Sequence, residues 1–355
     1  MKICFTVDSM RSGGTERVVS VLANEFAKQG HDVSIIMVSS LQNETFFVLE
    51  NVQLICLMDG FTKKVNALKR LMLLKKTLRH LKPDIVIACL PHIIAYTYFA
   101  VKNSGAKLIV SERNDPSKLS FKYKIILRYI FKHSSGNVFQ TDMCRNWYGK
   151  NTAKLIDVIP NPINPKIAFK QVDNRNDVIV SVGRLVEQKN YPLLLDSFKR
   201  FVSEKQNQNY KLHIYGRGYL LDRLERYCKH IGIEANVSFM GTQEDWIGKE
   251  ISSKMFILSS NFEGMPNSLL EAMASGIPCI STNCPIGGPS QLIQDGVNGL
   301  LVPVGDSNAL YKAMIRLANE KLSNSISEAN KFMYKEFDGA LIANRWISFI
   351  SKVIK

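Results

Sequence analysis

Nothing in these 355 residues offers a disulfide framework or a metal clip. The seven cysteines, Cys4, Cys56, Cys89, Cys144, Cys228, Cys279 and Cys284, are odd in number and scattered, with no Cys-x-x-Cys pair and no histidine partners at zinc spacing. Most fall inside apolar runs and read as reduced core thiols, which places the chain in a reducing cytoplasm. No apolar stretch approaches the roughly 18 residues of a spanning helix, and the opening MKICFTV is too short, and lacks the small-residue cleavage pattern, for a secretory signal. There is no Asp-x-Asp pair and no His/carboxylate cluster at metal-ligand spacing, so chemistry without a metal or other cofactor is expected. Short-period repeats and low-complexity segments are also missing, which excludes solenoids and linkers.

What is present suits two domains of ordinary size. With 46% hydrophobic and 22% charged residues, the chain has apolar material for two cores. Its net charge of +15 is uneven: residues 1–165 hold 23 Lys/Arg against 12 Asp/Glu, and residues 166–355 hold 23 against 19. The first half is therefore expected to meet something anionic, an acidic lipid surface or a nucleic acid. No RNA- or DNA-binding motif accompanies the charge, which disfavours nucleic acid.

KICFTVD is a buried-strand run that passes through SMRSGG into a helix with Val18, Val19, Leu22, Ala23 and Phe26 at helical spacing. Gly30 closes that helix and HDVSIIMV is the next strand. Further strands are expected at VQLICL, DIVIACL, KLIVSE and GNVFQT, giving a parallel sheet with helices on both faces. IPNPINPK, too rich in proline for helix or central strand, marks the crossing to a second alternation. There DVIVSVG, KLHIYG, NVSFMG, MFILSS and PCISTN read as strands with helices between them, and the tail from Asp306 reads as helical throughout. The fold class is α/β, with two doubly wound Rossmann-like domains at residues 1–162 and 163–338 and a C-terminal helix at 339–355. Such sheets bind ligands beyond the carboxyl ends of their strands, here in a cleft expected between the halves.

The most informative stretch is SSNFEGMPNSLLEAMASG. A strand ends at Ser259 or Ser260, Glu263 lies in the loop, Pro266 stands where a helix should begin, and Glu271 lies inside that helix. The first-turn amides of Asn267, Ser268 and Leu269 would make an anion site fit for a diphosphate. Glu271 could then accept hydrogen bonds from ribose hydroxyls, and Glu263 could reach a sugar beyond the phosphates. In SVGRLVEQKN, Arg184 and Lys189 follow the first strand of the second half, where two cations can neutralise charge growing on a departing nucleoside diphosphate. Singly each signal is ordinary, because a Glu before a helix often caps it and a loop Arg is usually a solvated charge. The ordered pair of motifs, each directly after a strand, favours the functional reading.

Together these motifs resemble the nucleotide-sugar half of the retaining GT-B glycosyltransferases of family 4, with GRLVEQKN similar to the Arg/Lys element and EGMPNSLLE to the paired-Glu element. The resemblance spans essentially the whole chain. It implies that Arg184, Lys189, Glu263 and Glu271 contact the donor, and that backbone at Gly13 and Gly14, in SGGTER, closes over the donor phosphates from the opposite domain. It further implies a UDP-sugar co-substrate, a C-terminal helix crossing back to the first domain, and retention of configuration. IVSERNDPS and the region from Lys63 to Lys82 look similar to bacterial members acting on undecaprenyl-diphosphate-linked sugars, so a lipid-linked or oligosaccharide acceptor is expected. Many members carry a His after the strand corresponding to KLIV; here Glu112, Arg113 or Asn114 would fill its place. His92, after DIVIACL, is a further candidate for the acceptor side.

KKVNALKRLMLLKKTLRHLK sets Leu71, Leu74, Leu78 and Leu81 on one helical face, with Lys69, Arg70, Lys75 and Lys76 off it. It reads equally as a surface helix packed on the sheet and as an interfacial helix facing anionic lipid; FKYKIILRYIFKH interleaves aromatics and bases in a similar way. Two such segments favour a protein peripherally bound to the inner face of the cell membrane. A nucleotide-sugar epimerase or hydrolase of the same architecture, and a basic membrane-associated scaffold, are the competing readings.

Overall fold

Short runs of Val, Ile, Leu and Phe with both faces covered favour parallel strands, because helical crossovers bury each face of the sheet. In the computed structural model, which describes residues 1–11, 13–39, 48–61, 65–243 and 245–355, such runs build two units. One comprises Met1–Pro165 with Phe337–Lys355, the other Lys166–Glu336.

The first unit contains β1 (Lys2–Val7), α1 (Gly14–Lys28), β2 (Asp32–Met37), β3 (Val52–Cys56), α2 (Ala67–Leu81), β4 (Ile85–Cys89), α3 (Pro91–Val101), β5 (Lys107–Ser111), α4 (Phe121–His133), β6 (Gly136–Phe139), α5 (Asp142–Tyr148) and β7 (Ile156–Val158). Its strands pair in parallel in the order β3-β2-β1-β4-β5-β6-β7. The second contains β8 (Asn176–Val182), α6 (Tyr191–Val202), β9 (Lys211–Tyr215), α7 (Leu221–Ile231), β10 (Val237–Gly241), α8 (Trp246–Glu250), β11 (Ser253–Leu258), α9 (Asn267–Ala274), β12 (Cys279–Thr282), α10 (Gly288–Leu292), β13 (Leu300–Val302), α11 (Ser307–Ala318), α12 (Glu320–Ala329) and α13 (Met333–Glu336). Its order is β10-β9-β8-β11-β12-β13, again parallel. Chain order reverses between β1 and β4 in one sheet and between β8 and β11 in the other. Those reversals open the crevices where doubly wound sheets take ligands.

The tail is helical, as its periodicity suggests, but broken at Asn319, at residues 330–332 and at residues 337–338 before α14 (Gly339–Ile354). That last helix belongs to the first unit: Ile342, Ala343, Trp346, Phe349, Ile350 and Val353 are buried in one core with Val18, Leu22 and Phe26 of α1. Full burial of such side chains contributes about 1.5–3 kcal/mol each. Gly136 makes room for it, since a Cβ there would lie 2.9 Å from both Phe349 and Val353. All seven cysteines are free, and every one except half-buried Cys56 is buried.

Candidate active site

The reversal in the second sheet brings the two sequence motifs together. Lys189 Nζ lies 2.5 Å from Glu263 Oε1, and both side chains are largely covered. Ser260 Oγ donates to the same carboxylate oxygen at 2.7 Å, and Gln188 Nε2 donates to the Phe262 carbonyl at 2.9 Å. The Asn261 amide donates to the Gln188 carbonyl at 2.8 Å, and Ser259 Oγ to the Lys189 carbonyl at 2.8 Å. The loops after β8 and β11 are thus laced into one wall. Arg184 is exposed on that wall, and its guanidinium has no side-chain partner among the described residues. The loop after β8 therefore carries one exposed cation and a second that is committed to a carboxylate.

Pro266 takes the N-cap position of α9, so Asn267, Ser268 and Leu269 form its first turn. Ser268 Oγ donates to the Val182 carbonyl at 3.1 Å, fixing this turn against the end of β8. Glu271 lies one turn in and is only 2% exposed. Glycines allow the backbones to come this close. A Cβ on Gly288 would sit 1.5 Å from the Gly264 carbonyl, and one on Gly183 would sit 2.9 Å from Lys189 Cε. Gly216 and Gly218, flanking Arg217 in the loop after β9, approach the Gly183 and Leu185 carbonyls so closely that added Cβ atoms would lie 2.0 and 2.2 Å away.

At the reversal in the first sheet, Gly13 is the extended N-cap of α1 and Gly14 its first residue. His92 Nε2 donates to Asp8 Oδ1 at 3.1 Å, and both side chains are partly exposed. That bond holds the Asp8 carboxyl below its usual range, against a smaller opposing push from desolvation. Leu90, with φ +74°, makes the turn that sets His92 in the first turn of α3. After β5, Glu112 Oε1 accepts from the amides of Arg113 and Asn114 at 3.0 and 3.1 Å, while Oε2 accepts from Tyr148 Oη at 3.0 Å. Arg113 Nη1 and Gln140 Nε2 both donate to Asn161 Oδ1, at 2.6 and 2.5 Å.

Family models match both units, the description "Glycosyltransferase Family 4" at residues 12–167 and "Glycosyl transferases group 1" at residues 164–333. The chain belongs to the family 4 glycosyltransferases. Over 99% of both chains the glycosyltransferase is 29% identical to a Campylobacter jejuni protein described as a GalNAc-alpha-(1->4)-GalNAc-alpha-(1->3)-diNAcBac-PP-undecaprenol alpha-1,4-N-acetyl-D-galactosaminyltransferase. It is 28% identical to an Escherichia coli lipopolysaccharide 1,6-galactosyltransferase, over 94% of this chain and 96% of that one. Among solved structures, HepE from Anabaena in complex with UDP superposes with a TM-score of 0.79 at 17% identity, over 99% of this chain and 100% of that one. That likeness carries the GT-B fold.

Within this glycosyltransferase the sequence candidates separate. Arg184, Lys189, Glu263, Asn267, Ser268, Leu269 and Glu271 gather at one sheet reversal, and Gly13, Gly14 and His92 at the other. Glu112 and Arg113 are both buried, Glu112 bonded to Tyr148 and to two amides of its own loop and Arg113 to Asn161, and Asn114 retains partial exposure. The leucine face of α2 is also corrected. Leu74 and Leu78 are fully buried and Leu71 and Leu81 half-covered, so that face cannot meet lipid. Arg70 turns inward to the Val65 carbonyl at 3.0 Å and to Ser39 at 3.3 Å; Lys69 and Lys76 stay exposed and Lys75 is half-buried. Lys63 and Lys64 of that segment, and Ser12 of SGGTER, lie outside the described residues. Asp8, Tyr148, Asn161 and the Gly216–Gly218 loop escaped the sequence reading. A glycine pair just after the strand KLHIY was the signal for the last.

Burial is the main cause that pushes Glu112 up from 4.5 to about 7, with Asp115 adding to it and the Tyr148, Asn114 and Arg113 hydrogen bonds opposing it. In the unfolded chain Glu112 ionises near 4.5, whereas in the fold it keeps its proton to about 7. Between those values the unfolded chain binds fewer protons, so the stability from this group falls as pH rises and is gone above 7. Glu112→Gln should therefore gain on the parent by on the order of 3 kcal/mol between pH 4.5 and 7. Urea unfolding at pH 5 and pH 8 measures the difference; an equal offset at both would contradict it.

Proposed function

We propose that the enzyme moves a hexose or N-acetylhexosamine from a nucleoside-diphosphate sugar, with UDP favoured, to a lipid-linked glycan, with retention of configuration. The Lys189–Glu263 pair beside exposed Arg184 and the first turn of α9 is the observation that carries this reading. The undecaprenol-diphosphate substrate named for the Campylobacter jejuni relative and the UDP named for HepE support the choice of acceptor and nucleotide. Arg184, Lys189 and the α9 amides meet the diphosphate charge in place of a metal ion, which agrees with the lack of an Asp-x-Asp pair. The bond from anomeric carbon to phosphate oxygen breaks with its electron pair leaving on the diphosphate. The acceptor hydroxyl oxygen bonds to the same face of that carbon, and its proton passes to the departing phosphate oxygen. Among the described residues no helix is long and apolar enough to cross a membrane. Peripheral attachment at the inner face of the cell membrane is therefore part of the proposal.

Glu271 supplies the test of the donor site. Glu271→Ala should weaken UDP binding by roughly 1.5–3 kcal/mol through loss of a charged hydrogen-bond acceptor. Calorimetry with UDP, and with GDP for comparison, measures this. Unchanged affinity for whichever nucleotide the parent binds removes the ribose role.

A further inference from the structure

A helix on the surface of a folded unit normally turns one apolar stripe inward and a polar face to water. Helix α4 does not. Its inward face is complete, with Leu127, Ile130 and Phe131 fully buried. The opposite face is apolar as well, with Phe121 76%, Ile125 55%, Ile126 41% and Tyr129 54% exposed. Phe121, Ile125 and Tyr129 follow one another at the i, i+4 spacing that lines up side chains along a helix. Lys122, Arg128 and Lys132 flank that stripe and are exposed, and neither α4 nor the neighbouring α3 contains an acidic residue. Apolar side chains bordered only by cations fit an anionic bilayer: the chains enter the headgroup boundary while the bases meet lipid phosphates.

We infer that α4, and not the basic helix α2, is the surface through which this enzyme docks on anionic lipid. The inference rests on the proposed lipid-linked acceptor and deepens it. Phe121, the most exposed of the stripe, begins the helix that follows the loop after β5. Insertion there sets the carboxyl edge of the first sheet, with His92 and Asp8 on it, toward the headgroup layer. A diphosphate-linked acceptor presents its sugar in that layer. Helix α2 offers a shorter apolar surface: Leu74 and Leu78 are fully buried, and Leu68 and Met72, 66% and 63% exposed, form one i, i+4 pair among its bases.

The test uses the full chain and vesicles of phosphatidylglycerol with phosphatidylcholine, with phosphatidylcholine alone as control. Parent protein should co-sediment with the anionic vesicles, and Phe121→Ser/Ile125→Ser/Ile126→Ser should lower that binding at least tenfold with UDP affinity unchanged. Lys69→Glu/Lys76→Glu should lower it less. Transfer to lipid-linked acceptor should fall in the α4 variant while transfer to a water-soluble analogue does not. Release by the α2 substitutions with α4 variants still bound would overturn the assignment of α4 and leave the membrane reading intact. A parent that ignores anionic vesicles at low salt defeats both. Should the α4 substitutions abolish self-association in sedimentation velocity and leave vesicle binding untouched, the stripe is a contact between copies and the inference is wrong.

Discussion

Lys189→Ala should lower kcat by roughly 10²–10³-fold, the loss typical of deleting one group that meets charge developing in a transition state. Its effect differs from that of Arg184→Ala because of what each leaves behind. Arg184 is exposed and uncommitted, so its removal subtracts one cation and should reduce turnover more than donor affinity. Lys189 is bonded at 2.5 Å to Glu263, so its removal strands a largely covered carboxylate where a diphosphate is to bind. An unpaired charge in such a place repels the ligand and costs stability. Lys189→Ala should therefore weaken donor binding as well, and adding Glu263→Gln should restore part of that affinity. Kinetics and nucleotide titration on the two single variants and the double close the cycle. Strictly additive losses would mean the pair does not act as a unit.

Gly288→Ala is expected to produce the second large effect, through the backbone and not through charge. The φ of Gly288 is −55°, an ordinary helical value that alanine adopts freely. The obstacle is steric, because the new Cβ would lie 1.5 Å from the Gly264 carbonyl, and a carbonyl cannot swing aside as a flexible side chain can. Either α10 or the 263–265 turn must move, at a cost of roughly 1–3 kcal/mol. Glu263 and the Pro266 cap ride on that turn, so nucleotide affinity should fall together with the melting temperature. A variant with parental values of both would show that this contact does not hold the loop.

The sheet skeleton was legible because buried parallel strands are apolar runs, and eleven of the strands announced themselves that way. The two missed, β7 at Ile156–Val158 and β13 at Leu300–Val302, are three-residue edge strands, too short to stand out from the flanking sequence. The motifs in the second unit were legible as strand-end residues, but their pairing was not. Lys189 and Glu263 are 74 positions apart, and only the adjacency of β8 and β11 brings them to one place. For Glu112 and Arg113 the burial was not legible: charged side chains after a strand usually face solvent, yet here Tyr148 and Asn161 draw them inward. Periodicity misjudged the basic helices for a related reason. It finds an apolar face without saying what covers it: α2 buries Leu74 and Leu78 and exposes Leu68 and Met72, while α4 leaves a second, longer apolar face open.

Purified enzyme incubated with a panel of nucleotide sugars, with and without a diphosphate-lipid-linked glycan, tests the central claim most directly. Sugar transfer from a UDP-sugar to the lipid-linked glycan, slow without acceptor and forming the same anomeric configuration as the donor, is the predicted result. Turnover of the nucleotide sugar at the same rate without acceptor, releasing free sugar or an epimer, would contradict it.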